Sequence, residues 1–283
     1  MKNIVIISFL YENSDYIRMF EILRDHYLRM IDEFSFPIKY YGCRVGTETR
    51  IDEDNHMIWL EDRGNDYDKK LTFKVRDAFK VVEDNLDYDL IIKTNASTLL
   101  NLVYVNRFLQ RARPDVCWCA QMWDPGWPVG ASTILRGNIL VLPKDPVKDV
   151  IREFSDEEEF ETKFIKRVFT DQAPAFMKEV DPYIIDDWYI SLILCDHNRW
   201  LGCISPDGCN LSVIDYIKVN TDRIPDSVED ILYVPGITIK TYYDQNMKGR
   251  LTETSEPDLF CLDVILLKLF VGVIEKNYLY LTP

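Results

Sequence analysis

Positive charge is scarce in this sequence, and the scarcity limits the partners that the chain can bind. Its 33 lysines and arginines face 47 aspartates and glutamates, which gives a formal net charge of −14. Such an excess of negative charge repels nucleic acids and anionic membrane surfaces, so we expect neither as a main partner. An anionic substrate requires a local cluster of lysine or arginine that overcomes the overall field.

Paired cysteines are also missing. The seven cysteines are scattered singly apart from Cys117 and Cys119, and none belongs to a CxxC pair. An odd count without such pairs is not typical of a disulfide framework or a zinc site, so we predict buried, reduced thiols in a cytosol-like compartment. Histidine is equally scarce: His26, His56 and His197 are the only three.

Long hydrophobic runs are absent as well, and no apolar stretch is long enough to span a bilayer. The apolar run at the start is short and ends at Glu12 and Asn13, with no small-residue cleavage site after it. This pattern indicates an opening core strand rather than a signal peptide. We therefore expect a cytoplasmic protein without a transmembrane segment, and the sequence leaves the oligomeric state open.

The residues that are present predict one mixed α/β domain. Apolar residues make up 47% of 283 positions, which is enough for a sizeable core. Short apolar runs predict strands over residues 3–9, 36–43, 57–60, 90–93, 116–122, 139–142 and 237–243. Helical periodicity over residues 14–31 and 71–82 lies between the early strands, and Ser14 can cap the first helix. This alternation predicts a mostly parallel sheet flanked by helices, with ligands beyond the carboxyl ends of the strands.

The later part of the chain contributes a loop and two further helices. Residues 122–132 hold two prolines, two glycines and two tryptophans, which predicts a shaped loop that either packs on its own aromatics or walls a pocket. Ser155 and Glu158 form a capping box for a solvated helix over residues 155–167. Residues 257–273 predict a helix packed on the core, because its polar face lacks the basic residues of a membrane-surface helix.

Three weak motifs follow one another along the chain. In the first, Leu71-Thr72-Phe73-Lys74 opens a helix and a buried strand ends in Lys93-Thr94-Asn95-Ala96-Ser97. The second is a Gly/Ser-rich segment and a strand over residues 128–145, and the third is Asp186-Asp187-Trp188-Tyr189 at a helix start. In this order the motifs resemble those of the β-1,3-galactosyl, β-1,3-N-acetylglucosaminyl and Fringe-type glycosyltransferases, over about residues 1–200.

The resemblance implies a GT-A fold, a Rossmann-like domain that binds a nucleotide-diphospho-sugar. Residues 1–125 are then the nucleotide-sugar half and residues 126–283 the acceptor half, which ends in the C-terminal helix. The implied substrates are a UDP-sugar and a saccharide acceptor, which is a glycan, a lipid-linked saccharide or a glycoprotein. Without an anchor the chain is more similar to bacterial or large-virus members than to Golgi ones. A xylosyltransferase of algal viruses is one expected match, and galactose, glucose and N-acetylglucosamine stay open as donor sugars.

The sequence departs from the family at the metal site. The family's Asp-x-Asp at the end of this strand holds a divalent metal that bridges the two phosphates of the donor. Asn95 and Ser97 stand at those positions, and neutral amide and hydroxyl oxygens hold Mg²⁺ or Mn²⁺ poorly. We therefore predict that no cofactor is required beyond weak stimulation by Mn²⁺ or Mg²⁺, and we assign no metal ligands.

Two neighbouring acids are the candidate catalytic residues. Asp187 matches the family position whose carboxylate takes the proton from the acceptor hydroxyl, whereas Asp186 is equally explained as a helix cap. The start of a helix favours an ionised carboxylate, as a general base requires. The resemblance implies that a single base supports direct displacement with inversion at the anomeric carbon.

The other candidate residues are assigned to the donor and to the acceptor. The donor-binding candidates are Leu10, Tyr11, Glu12, Asp62, Asp66, Lys74, Thr94, Asn95, Ala96, Ser97, Lys240, Lys248 and Arg250. Arg136 is a further candidate for the diphosphate, although each of these cations alone is also explained as surface charge, and Asp66 as a helix cap. The acceptor-binding candidates are Trp123, Trp127, Gly130, Ala131 and Trp188.

Two other functions compete with sugar transfer. A degenerate GT-A domain that binds glycans or proteins without catalysis is expected to lack the Asp-x-Asp, but the presence of Asp187 argues against it. A sugar nucleotidyltransferase shares the fold family but needs a glycine-rich, arginine-containing loop after the first strand, and residues 8–14 contain neither. The sequence therefore favours an inverting glycosyltransferase without strong metal dependence.

Overall fold

The computed structural model describes residues 1–10, 14–64, 67, 70–96, 98–100, 102–119, 122–123, 134–135, 139–203 and 238–240. Within these ranges the predicted mixed α/β class is confirmed, because a mostly parallel sheet carries helices on both faces. The helix predicted over residues 257–273 lies outside the described residues.

The described residues contain twelve strands and seven α-helical segments. The strands are β1 (Ile4–Phe9), β2 (Ile38–Gly46), β3 (Arg50–Asp52), β4 (Met57–Glu61), β5 (Leu90–Asn95), β6 (Thr98–Leu100), β7 (Val116–Cys119), β8 (Met122–Trp123), β9 (Ile134–Leu135), β10 (Ile139–Pro143), β11 (Trp200–Cys203) and β12 (Thr238–Lys240). The helices are α1 (Ser14–Phe34), α2 (Leu71–Asn85), α3 (Leu102–Arg111), α4 (Lys144–Glu153), α5 (Glu157–Phe160), α6 (Lys166–Val168) and α7 (Asp186–Asp196).

Eight strands form the main sheet, in the order β11-β7-β10-β5-β1-β2-β4-β3. β1 lies at the centre and runs parallel to both neighbours, β2 and β5. β10 is antiparallel to β5 and β7, and β3 closes the far edge as an antiparallel hairpin with β4. Two small ladders, β6 with β12 and β8 with β9, lie apart from the main sheet.

The central strands β1 and β5 are mainly buried on both faces because helices cover both sides of the sheet. Successive side chains of β5 show the division: Ile91 belongs to one core and Ile92 to the other. The first core is covered by α2, α4 and α7, and we call this side of the sheet the α7 face. The second core is covered by α1 and α3, and we call it the α1 face.

The helical stretch after α4 differs from the prediction at its start. Asp156, not Ser155, is the N-cap, and its carboxylate accepts a hydrogen bond of 2.8 Å from the backbone N–H of Glu159. The predicted capping box of Ser155 and Glu158 is therefore wrong. Aspartate caps a helix as well as serine does, and Asp156 has the same spacing to Glu159, so the cap moves by one residue. A π-helical segment at Glu161–Ile165 joins α5 to α6.

Two strand predictions also change. The strand predicted over residues 116–122 ends at Cys119, and the following Met122–Trp123 pairs with β9 instead of continuing in the main sheet. The short strand β3 was not predicted, because its charged residues lack an apolar run. Among the described cysteines, Cys43, Cys117 and Cys119 are free and buried, as predicted, whereas Cys195 is free but only partly buried. None of the described helices is long and apolar enough to cross a membrane.

Candidate active site

With this strand order the switch point of the sheet lies between β1 and β5, so we expect the ligand crevice there. Within the sheet, β2 is the neighbour of β1 on one side, and β5, which comes later in the chain, is its neighbour on the other side. In open α/β sheets, ligands bind at such a switch point, outside the carboxyl ends of the strands. Phe9 and Asn95 are register partners at the ends of these two strands, so the turn after Asn95 borders the crevice.

The turn after β5 presents an amide rather than a carboxylate. Thr94 and Ala96 are fully buried, whereas Asn95 is only partly buried. Residues two apart on a strand share a face, so Asn95 lies on the α7 face together with Lys93 and Ile91. The amide of Asn95 is therefore the polar group that the described part of this turn offers to a ligand on the α7 face.

A buried ion pair joins the end of β5 to the start of α7. Lys93 Nζ lies 2.6 Å from Asp186 Oδ2, and the two side chains are only 2% and 3% exposed. The contact is ionic and lacks the alignment of a hydrogen bond. Lys93 was not assigned a role from the sequence, although a lysine inside an apolar strand calls for a buried counter-charge. Because Asp186 faces this lysine in the core, its carboxylate is not presented to solvent.

The neighbouring Asp187 remains accessible. It is the second residue of α7 and is partly exposed, and its Oδ1 accepts a hydrogen bond of 3.0 Å from the backbone N–H of Trp188. Neither acid acts as the N-cap, which is Ile185 without a side-chain cap. Trp188 is 9% exposed and packs in the core of the α7 face, so its indole is mainly a packing element.

The segment of β9 lies against α7 through one hydroxyl group. The backbone N–H of Leu135 donates to Ser191 Oγ at 2.8 Å, and Ser191 Oγ donates to the carbonyl oxygen of Asp187 at 2.6 Å. Trp123 is the register partner of Ile134, so its backbone lies in the same ladder. The other acceptor candidates, Trp127, Gly130 and Ala131, are outside the described residues.

Lys74 approaches the same edge of the sheet from α2. It is 4% exposed, and its charge acts on the thiol of Cys43, the register partner of Phe9. Burial raises the pKa of this thiol to about 12, while Lys74 lowers it and Asp77 raises it further. Lys74 is therefore a buried cation on α2 whose charge reaches Cys43 of β2.

A second group of charges surrounds Asp77. Tyr67 Oη donates to Asp77 Oδ2 at 2.5 Å, Arg76 Nε donates to Oδ1 at 2.7 Å, and Arg63 Nη2 lies 3.3 Å from Oδ2. Two guanidinium groups therefore face one carboxylate, and the cluster with Lys74 has an excess of positive charge. Arg63 was not among the predicted donor residues, because a single arginine after a strand gives no pattern.

The other donor candidates are placed as follows. Leu10 is buried in the core of the α1 face, which makes its side chain a packing group. Asp62 is exposed and accepts a hydrogen bond of 2.9 Å from the N–H of Gly64, as in a turn. Lys240 is the register partner of Thr98, close to the turn after β5. Six candidates lie outside the described residues: Tyr11, Glu12, Asp66, Ser97, Lys248 and Arg250, as does Arg136.

The groups at this edge do not fit a bridging divalent metal. Such ions prefer carboxylate oxygens, and the described turn offers the amide of Asn95 and backbone carbonyls. The carboxylate of Asp186 at the start of α7 is held by Lys93. No cluster of three metal-binding side chains occurs among the residues that the structure describes. The donor set is therefore better suited to hydrogen bonding than to metal binding.

No known protein family and no curated protein matches this chain. Among solved structures it is similar to a glycosyltransferase involved in the glycosylation of the major capsid of PBCV-1, at 10% identity and a TM-score of 0.34, over 61% of this chain and 78% of that chain. A similarity of this size establishes neither the fold nor the activity of the present protein, which depend on its own residues.

Proposed function

We propose that this protein is a glycosyltransferase of the GT-A type, which moves a sugar from a UDP-sugar to a hydroxyl group of a saccharide acceptor. One observation carries the proposal: Asp187, the partly exposed second residue of α7, directly follows Asp186, which an ion pair joins to β5. We expect a nucleotide-sugar at the switch point between β1 and β5 to meet the Asn95 turn, with the carboxylate of Asp187 near the acceptor hydroxyl.

The proposed reaction is a single displacement. The oxygen of the acceptor hydroxyl attacks the anomeric carbon and forms the new glycosidic bond. The bond between that carbon and the β-phosphate oxygen breaks, and its electron pair leaves with UDP. The proton of the acceptor hydroxyl passes to the carboxylate of Asp187, which acts as a general base. Because attack and departure occur on opposite sides of the carbon, the configuration inverts.

The departing UDP gains negative charge, which the protein has to stabilise. In our proposal cations and hydrogen bonds do this instead of a metal. Lys240 is the register partner of Thr98 beside the turn, and the buried Lys74 contributes through its charge rather than by contact. The amide of Asn95 donates hydrogen bonds to phosphate oxygens without adding negative charge. This arrangement supports weak metal dependence.

The test is Asp187→Asn, with Asp196→Asn at the other end of α7 as the matched control. Hydrolysis of UDP-xylose, UDP-galactose, UDP-glucose and UDP-N-acetylglucosamine is measured with the wild type and both variants, alone and with candidate saccharide acceptors. Calorimetry gives the Kd of UDP. We expect Asp187→Asn to lower the rate by about 100-fold or more, the range of general-base effects, while the Kd of UDP changes less than twofold. An Asp187→Asn variant with wild-type turnover overturns the assignment of the base.

A second candidate function is a domain that binds a nucleotide-sugar or a glycan without turnover. The specific observation in its favour is the turn after β5, whose described residues lack a carboxylate. The same calorimetry separates the two functions. UDP binding without turnover of any UDP-sugar, both with and without Mn²⁺, supports the binding domain, whereas turnover that depends on Asp187 supports the enzyme.

A further inference from the structure

We propose that the buried ion pair of Lys93 and Asp186 is a positioning device, which sets where Asp187 stands relative to the Asn95 turn. This inference rests on the proposed function for its catalytic consequence. The geometry does not depend on that function: the pair connects Lys93 in β5, two residues before Asn95, to the first residue of α7. Lys93 and Asp186 act through Asp187, and neither is expected to touch the substrate.

The position of the pair supports a role beyond stability. A buried ion pair is weak evidence for stability, because the two charges lose their hydration, and apolar replacements of similar volume are often as stable. Specificity of arrangement is a better reason for such a pair. Here the ionic contact joins β5, which ends at Asn95, to the start of α7, which contains Asp187. The pair therefore fixes the positions of these two candidate groups relative to each other.

Direct contact with a ligand is a poorer explanation for Lys93. Its side chain is only 2% exposed, and its ammonium group is 2.6 Å from the carboxylate of Asp186. A phosphate group at the crevice is better reached from Asn95, two residues nearer to the end of the strand on the same face. Asp186 is likewise 3% exposed and therefore cannot meet an acceptor hydroxyl in this arrangement.

Two further features of the first turn of α7 concern its N-cap and the hydroxyl of Ser191. Ile185, the N-cap, contributes no side-chain cap, so the first turn lacks the usual fixing hydrogen bond. The hydroxyl of Ser191 does contact the carbonyl oxygen of Asp187, but it holds the backbone from the next turn of the same helix. The ion pair is therefore one side-chain contact that ties the first turn of α7 to the main sheet.

The experiment removes the pair without leaving a buried charge. The double variant Lys93→Met and Asp186→Leu is compared with a control, Arg167→Gln and Asp196→Asn, which removes the ion pair at the far end of α7, where Arg167 Nη1 lies 2.6 Å from Asp196 Oδ2. Three quantities are measured for each protein: hydrogen exchange of the backbone amides 185–189, the Kd of UDP, and kcat and KM for the UDP-sugar that the wild type turns over fastest.

We expect a specific pattern. The amides at the start of α7 exchange at least tenfold faster in the Lys93/Asp186 variant, while those at its far end do not change. The Kd of UDP and the KM stay within about twofold, and kcat falls by about 100-fold, because a displacement near 1 Å has this effect on catalysis. The control variant keeps wild-type kcat. If the pair contributes only to stability, the double variant has a lower free energy of unfolding but does not show a lower kcat with an unchanged KM.

Each other outcome has a definite meaning. Unchanged exchange and unchanged kcat in the folded double variant overturn the proposal. If the double variant does not fold, Lys93→Arg decides, because it keeps both charges but alters the spacing: a tenfold lower kcat with unchanged UDP binding supports positioning, and wild-type kcat overturns it. If exchange rises but the wild type turns over no UDP-sugar, the ion pair fixes α7 as proposed while the proposed function fails.

Discussion

Leu135 and Ser191 are joined by a hydrogen bond of 2.8 Å in which the backbone N–H of Leu135 donates to Ser191 Oγ. The same hydroxyl group donates to the carbonyl oxygen of Asp187 at 2.6 Å. Ser191 is fully buried, so water cannot replace either partner. One small side chain therefore links the short ladder that contains Trp123 to the candidate base.

We predict that Ser191→Ala lowers the free energy of unfolding by more than the removal of a hydroxyl group that accepts no backbone hydrogen bond. It leaves the buried N–H of Leu135 without its acceptor, and an orphaned donor of this kind costs about 1–3 kcal/mol. Urea unfolding monitored by tryptophan fluorescence measures the change. The control is Thr72→Val, which removes a hydroxyl that donates to the Tyr183 carbonyl oxygen at 3.1 Å and orphans no N–H. Equal losses in the two variants contradict the linking role of Ser191.

A second prediction concerns the absence of a carboxylate at the turn. EDTA is expected to leave most UDP-sugar turnover intact, because in the proposed complex the Asn95 amide contacts the phosphates without a metal. Asn95→Asp introduces a negative charge beside the diphosphate, so the Kd of UDP rises about tenfold in EDTA and recovers when Mn²⁺ is added. The matched control is Asn106→Asp on α3, whose side-chain oxygen accepts a hydrogen bond from Gln110, and this variant is expected to change neither value. Wild-type activity that EDTA abolishes and Mn²⁺ restores shows that the turn was misinterpreted.

The sequence predicted the strands best where one physical cause dominates. β1 is a nearly continuous run of isoleucine and valine, and β5 begins with Leu90-Ile91-Ile92, as expected for strands with both faces covered. The prediction erred by one residue at the cap of α5, because Ser155 and Asp156 are equally good caps and packing selects between them. It missed β3, whose pairing with β4 depends on the hairpin rather than on apolar residues.

The site was less predictable because it is made by contacts between distant parts of the chain. The Asp186-Asp187 motif at a helix start was visible, but only the fold shows that Asp186 faces Lys93 and that Asp187 is the exposed member. Ser191 had no signal, since a serine on an apolar helix is unremarkable until Leu135 is beside it. Local sequence patterns therefore predicted the helices and strands, and the contact between β5 and α7 distinguished the buried Asp186 from the partly exposed Asp187.

Tyr27 provides a further prediction for the other side of the turn. Its phenol oxygen accepts a hydrogen bond of 2.6 Å from the backbone N–H of Leu100 in β6, and its ring is fully buried. Tyr27→Phe removes this acceptor and is expected to destabilise the protein by about 1–3 kcal/mol. Hydrogen exchange at the amide of Leu100 is expected to accelerate.

The matched control for this change is Tyr40→Phe. The ring of Tyr40 packs edge-on against Tyr27 at 4.8 Å, but its hydroxyl donates to the side chain of Ser8 at 3.0 Å and supports no backbone N–H. This variant is expected to leave exchange at Leu100 unchanged. If both variants accelerate that amide equally, the effect comes from general loosening of the core and not from the Tyr27 hydrogen bond.

The last prediction concerns stability in alkaline solution. Burial raises the pKa of Cys43 and of Cys117 to about 12 in the native protein, whereas an unfolded thiol titrates near about 8.5. Above that pH the unfolded state releases protons that the native state keeps, so the free energy of unfolding falls as pH rises. The contribution is fully present below about pH 8.5 and is lost by about pH 12, at up to about 1.4 kcal/mol per pH unit for each thiol.

Urea unfolding at pH 8.0, 8.5, 9.0 and 9.5 with a phosphine reductant measures this slope before the tyrosines titrate. The variant Cys43→Ala and Cys117→Ala is the comparison, since it is less stable at pH 8 but lacks both titrating groups. We expect its free energy of unfolding to fall less steeply with pH than that of the wild type. Parallel curves for the two proteins contradict the prediction, because they show that groups other than these buried thiols control the alkaline loss.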